Sequence, residues 1–307
     1  MIAMIVSEEK ERDMQDQLVK YLAFDGQVRL VLVQATNTVQ EACRRHDTWH
    51  TASAAFGRTM IGSLLLASNL KGEDRIITEI QGTGPIGRIV VDVNSHNQVR
   101  GYVNQPHVAL ELNEQHKLDV SGAVGLPGTL TVRRYIEHME PFVGQVALVS
   151  GEIGDDFTYY MTASEQTPSS FGLSVLVNPD ESIQSAGGFM IQMMPGATEE
   201  TIQALEANLS QLDSLATYFN ESESLVSLVE ALVGQGNYKE LEAADVSFHC
   251  PCSKAYYQDK LAVLDEMTLR EMIEEDHGAE VTCHFCNEQY QYSEEDLREV
   301  LHANQAK

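Results

Sequence analysis

Apolar residues recur with strand-like spacing through most of the first two-thirds of the chain, broken by one long helical run. QVRLVLVQA (27–35) is a β-branched run with strand character. TASAAFGRTMIGSLLLASNL (51–70) holds no proline and is rich in alanine and leucine, which predicts a largely buried helix. Short strands follow in RIITEIQ, GRIVVDV and QVRGYV, with glycine, asparagine and proline between them. GTLTVRRY (128–135), GQVALVSG (144–151) and FGLSVLV (171–177) continue the pattern. GGFMIQMMPGA (187–197) reads as the last apolar strand, stopped by Pro195 and Gly196, with Met190, Met193 and Met194 as core positions of that strand. The expected fold class is α+β, with one mixed strand and helix domain over residues 1–197.

From residue 198 the period becomes helical. Ile202, Leu205, Leu209, Leu212, Leu215 and Phe219 fall at three- and four-residue spacing, one apolar stripe on one helix. Asn220 and Glu223 fit a capping box that starts a second helix, with Leu225, Leu228, Val229, Leu232 and Val233 as its apolar face and Gly234 and Gly236 as its stop. Residues 198–238 therefore read as an amphipathic helical linker lying on the first domain. Residues 239–307 read as a third, small domain with 16 acidic and 6 basic side chains. A core of this size supplies only ~3–5 kcal/mol, so the segment needs a staple.

Charge narrows the function. The 46 acidic and 20 basic residues leave a net charge of −26, which repels phosphate backbones and anionic membrane surfaces. No apolar run approaches the ~18–20 residues of a spanning helix. The opening MIAMIVSEEKER has neither the basic start nor the apolar length of a secretory signal. A cytoplasmic protein is expected, where thiols stay reduced and clustered cysteines point to metal binding or redox chemistry.

Four of the five cysteines, Cys250, Cys252, Cys283 and Cys286, lie in FHCPCSK and VTCHFCNE near the C-terminus. Two close pairs separated by a loop build the tetrahedral thiolate site that Zn²⁺ favours, and four sulfurs fill it with no open catalytic position. One zinc per chain is expected, with His249 and His284 as exposed neighbours and Asn287 in the left-handed turn where many zinc loops place glycine. Thiolate is also the form that oxidants attack. Oxidation of neighbouring sulfurs removes ligands, and loss of a metal worth about 10–16 kcal/mol should unfold a domain this small. A disulfide across Cys250-Pro251-Cys252 would close a strained, easily reduced ring, so the change is reversible.

VSFHCPCSK, the spacer and VTCHFCNEQYQYSEEDL resemble the zinc domain of the redox-regulated 33 kDa chaperonin family, heat shock protein 33. DGQVRLVLVQAT, FGRTMIGSLLL, VRGYVNQP, SEQTPSS and GGFMIQMMPGA resemble its N-terminal domain in the same order, so the likeness runs from Met14 to Arg298. The resemblance implies a non-enzymatic, ATP-independent holdase that protects unfolding client proteins under oxidative and heat stress and supports their refolding. It implies an inactive reduced form with zinc on Cys250, Cys252, Cys283 and Cys286. On activation it implies disulfides joining Cys250 with Cys252 and Cys283 with Cys286, unfolding of the zinc domain and linker, and a homodimer. The candidate client surface is the linker stripe around Leu205, Leu209, Leu212, Leu225 and Leu232, with the zinc domain as a latch over it.

Other signals carry less. GTGPIG (82–87) fits a dinucleotide pattern but holds Pro85 and runs into a strand, where a phosphate site needs a helix, so it reads as a turn. RRHD (44–47) reads as a solvated helix end and Cys43 as an ordinary thiol. Two other classes stay open: a zinc-ribbon binding module, tested by gel shifts at low salt, and a thiol–disulfide oxidoreductase, tested by insulin reduction.

Overall fold

Residues 15–212, 214–220 and 225–305 are described in this computed structural model. Gln17–Ala23 (β1) and Val28–Gln34 (β2) pair antiparallel, and Thr36–His46 (α1) and His50–Ala67 (α2) follow. Arg75–Gln81 (β3), Arg88–Asn94 (β4) and Gln98–Val103 (β5) form a meander, followed by the short helix Val120–Val124 (α3). Thr129–Tyr135 (β6), Phe142–Ala147 (β7), Gly154–Ala163 (α4), Ser169–Val177 (β8) and Ile183–Met193 (β9) complete the first region. Three helices come next, Glu199–Gln211 (α5), Leu215–Asn220 (α6) and Leu225–Val233 (α7). The fold is α+β.

Helix α2 organises the larger core. It packs against both sheets, and nearly every residue from Thr51 to Ala67 is buried. That explains its lack of a polar face: a helix wrapped on all sides has no water to meet. On the opposite face of the β1–β2–β9 sheet a second core forms. Val19, Tyr21, Leu30, Leu32, Phe189 and Ile191 from the strands meet Leu205, Phe219, Leu225, Leu228, Val229 and Leu232 from the linker helices. Leu209, Leu212 and Leu215 are half-buried against it. Phe219 lies over Gly187, where a Cβ would meet its ring at 2.4 Å, so only glycine lets the helix come this close. The leucines expected beneath a zinc-domain latch are thus covered by the sheet of their own unit.

One expectation for the linker changes. The single stripe is carried by two helices, because α5 ends where Leu212 turns to ψ 115 and α6 restarts at Leu215. The break lets Leu205 and Phe219 both reach the core. Asn220 ends α6, and Glu223, its proposed capping partner, lies outside the described residues. Gly234 and Gly236, at φ +83 and +78, stop α7 as expected.

The boundary at residue 239 also moves. Tyr238–Asp245 (β10) adds to β1 as an edge strand, giving the order β10-β1-β2-β9-β8, and Ser247–Phe248 (β11) runs parallel to β5 at the edge of the order β11-β5-β4-β3-β6-β7. The chain divides into compact units Met1–His249 and Cys250–Lys307. Strand β10 has no apolar pattern because its side chains stay in water; backbone pairing holds it, with Lys20 Nζ to Glu242 Oε2 at 2.8 Å and Tyr238 edge-on to Tyr21. Past it, the Val246 N–H donates to the Asp16 carbonyl at 3.0 Å. GTGPIG is the β3–β4 turn, its backbone bonded to Ala123 and Val124, and no helix follows it. No described helix is long and apolar enough to cross a membrane.

Candidate metal centre

The second unit is built from Lys254–Leu261 (α8), Glu266–Glu274 (α9), the hairpin Gly278–Thr282 (β12) with Gln289–Ser293 (β13), and Glu294–Gln305 (α10). Its described core is seven buried side chains: Leu261, Leu269, Ile273, Tyr292, Leu297, Val300 and Leu301. Polar caps set the helix starts. Ser253 Oγ accepts from the Tyr256 N–H at 3.1 Å, and Asp265 Oδ1 from the Thr268 N–H at 3.0 Å.

Cys250 and Cys252 occupy the segment that leads into α8, and Cys283 and Cys286 the turn of the β12–β13 hairpin. In that turn the Cys283 N–H donates to the Glu288 carbonyl at 2.8 Å, and the Asn287 N–H to the Cys283 carbonyl at 2.7 Å. Asn287 takes the left-handed conformation at φ 58, as its position after the pair requires. The turn thereby carries Cys283 and Cys286 inward, where both are buried.

All four sulfurs lie within 4.8 Å of one another. Cys252 Sγ is 3.3 Å from Cys286 Sγ, and Cys250 Sγ 3.7 Å from Cys283 Sγ. A tetrahedron of thiolates around zinc, with bonds of ~2.3 Å, has edges of about 3.8 Å, so the donor set fits such an ion. Ionisation shows why a cation belongs there. Burial, then the neighbouring sulfurs, push the Cys286 thiol well above its ordinary range, and burial raises Cys252. Burial opposes ionisation at Cys283 too, but the Tyr257 hydroxyl and the backbone N–H groups of Phe285 and Cys286 outweigh it and bring that thiol to about 7. A cation between the sulfurs would offset this burial cost and favour the thiolate form.

The sequence-derived ligands come together and the expected bystanders stay out. His249 and His284 are exposed and lie outside the sulfur cluster. Cys43 is buried on α1, its thiol pushed up to about 11 by burial, and belongs to the large core. Two functional neighbours escaped the sequence reading. Tyr290 Oη donates to Cys252 Sγ at 3.2 Å, and the Tyr257 ring packs against that of Tyr290 with centroids 5.5 Å apart. Tyrosines shortly after each cysteine pair, in CSKAYY and CNEQY, were the available signal.

The Hsp33 protein family model matches residues 16–293, a span that includes all four cysteines. The chain belongs to the Hsp33 family. The 33 kDa chaperonin of Bacillus velezensis is 50% identical over 285 residues, covering 93% of this chain and 98% of its own. That of Latilactobacillus sakei is 48% identical over 289 residues, 94% and 99% of the two chains. The crystal structure of the heat shock protein 33 homologue from Thermotoga maritima is similar with a TM-score of 0.87 at 37% identity, over 95% of this chain and all of that one. Hsp33 membership agrees with the resemblance drawn from the sequence motifs.

Proposed function

We propose that this Hsp33 chain is a redox-regulated, ATP-independent holdase, inactive while reduced and zinc-bound. The observation that carries the reading is the cluster of four sulfurs within 4.8 Å in a unit with so small a core. Zinc on Cys250, Cys252, Cys283 and Cys286, one ion per chain, neutralises the thiolates and supplies most of the folding free energy of residues 250–307. Oxidation to Cys250–Cys252 and Cys283–Cys286 disulfides removes the ligands, releases the ion and unfolds the unit. Acidic self-repulsion then keeps it open.

The client surface is the linker stripe of Leu205, Leu209, Leu212, Leu225 and Leu232 together with the sheet face it covers, including Leu30, Leu32 and Phe189. Unmasking several hundred Å² of apolar surface creates a patch that unfolding proteins bind. At ~25 cal/mol per Å², such a patch contributes many kcal/mol to capture. Strand β11 ends two residues before Cys250, so unfolding of the second unit reaches the linker along the backbone. The function is non-enzymatic, cytoplasmic, and accompanied by homodimerisation on oxidation. Neither nucleic acid nor membrane is a partner for a chain of charge −26.

The test measures zinc release and suppression of client aggregation before and after peroxide. Reduced protein should hold zinc and stay silent, and oxidised protein should lose it and suppress aggregation at stoichiometric amounts. Metal-free reduced protein, or oxidised protein that leaves aggregation unchanged, would refute the reading.

A further inference from the structure

One sulfur of the cluster meets a phenol. Tyr290, on β13, donates to Cys252 of the first pair at 3.2 Å, and Tyr257, on α8, packs against the Tyr290 ring. The two rings hold one another in place, with centroids 5.5 Å apart, and Tyr256 meets Tyr257 edge-on at 5.2 Å. Both are partly buried against the core of Leu261, Leu269 and Tyr292. The hydroxyls are therefore positioned by packing. A hydrogen bond to an ionised sulfur is charge-assisted and stronger than one to a neutral thiol.

We propose that Tyr290 sets the threshold at which the zinc-held thiolates yield to oxidant, by a hydrogen bond that occupies the sulfur electrons an oxidant must engage. The inference rests on the zinc reading above. In the first step a thiolate sulfur attacks one oxygen of hydrogen peroxide and the O–O bond breaks. The departing hydroxide takes a proton to become water, leaving a sulfenic acid. A neighbouring thiolate then attacks that sulfur, the S–S bond forms, and the displaced hydroxide leaves as water with a second proton. Two thiolates, one peroxide and two protons thus give one disulfide and two waters. Nucleophilicity falls as electron density on sulfur is withdrawn, so the Tyr290 phenol slows the first step.

The test uses full-length, reduced, zinc-loaded protein with Tyr290→Phe, which removes the hydroxyl and keeps the ring. Peroxide-driven zinc release should accelerate about three- to tenfold, the worth of one hydrogen bond. Tyr292→Phe is the control, because its hydroxyl donates to the Lys254 carbonyl and not to sulfur; it should release zinc at the parent rate. A spectroscopic readout separates tuning from disruption. With Co²⁺ in the site, the sulfur-to-metal charge-transfer band should move to longer wavelength in Tyr290→Phe while the tetrahedral d–d bands persist. Parent-like release with an unmoved band in Tyr290→Phe overturns the proposal. Loss of its d–d bands also overturns it, since the hydroxyl would then be scaffolding. A parent protein that binds no metal defeats the zinc reading itself, whereas one that binds zinc with the variant unchanged defeats only the tyrosine inference.

Discussion

Replacing Leu269 with alanine measures how far the metal carries the fold of the second unit. Leu269 lies on α9, is fully buried, and shares its core with Ile273, Tyr292, Leu297 and Val300. Truncating a buried leucine costs ~2–5 kcal/mol, the transfer free energy plus the cavity left behind. A core this small supplies ~3–5 kcal/mol, so the change removes most of what the protein contributes without metal. Zinc, at about 10–16 kcal/mol, still exceeds the loss, and the holo unit should fold. Because binding and folding are one equilibrium here, the deficit appears as affinity. At ~1.4 kcal/mol per decade, zinc should bind roughly 30- to several thousand-fold more weakly. Competition against a chromophoric chelator measures this, with hydrogen exchange over residues 250–305 confirming that the loaded variant is folded. Met267→Ala is the control, on the same helix but 72% exposed, and should leave affinity within about twofold. An unchanged affinity in Leu269→Ala would show that metal and core are uncoupled and would remove the basis of the switch.

Three further outcomes are expected. Cys283→Ser should lower the zinc content of purified reduced protein while Cys43→Ser leaves it intact, checked by metal analysis; full retention in Cys283→Ser would eliminate the site. Peptide mapping after peroxide should find Cys250–Cys252 and Cys283–Cys286 links, since short loops close at least entropic cost. The cross-pair sulfur distances of 3.3 and 3.7 Å make this a sharp test, because dominant Cys250–Cys283 links would mean that spatial contact outweighs chain proximity. A chain ended after Gly236, which lacks β10 as well as the second unit, should suppress aggregation without oxidant, and Leu209→Ser with Leu212→Ser should reduce that effect. A folded truncation as silent as the reduced full-length chain would place client binding elsewhere.

The cluster of four cysteines was legible in the sequence because coordination chemistry restricts both residue type and spacing. Helix α2 was legible because burial on every side demands small and apolar residues throughout, with no polar face to confuse the reading. Strand β10 was hidden for the opposite reason: it is held by its backbone, and its side chains, YKELEAAD, report only on solvent. The break between α5 and α6 was hidden because apolar spacing continues straight across it, while the seat of Phe219 over Gly187 depends on a residue distant in sequence. Tyr257 and Tyr290 lie at positions whose meaning depends on the hairpin and α8 coming together, which no local pattern encodes.

The pairing of β1 with β10 has a consequence in time. Lys20 and Glu242, which meet across it, are 222 residues apart. A ribosome adding ~5–20 residues per second needs roughly ten to forty seconds to make the stretch between them. Throughout that interval β1 has an unpaired edge, and the sheet face of Leu30 and Leu32 awaits the linker helices that cover it. Sheets closed by such distant partners fold slowly and are exposed to aggregation until the last strand arrives. Each nascent copy therefore passes, during its own synthesis, through a state in which this face is open.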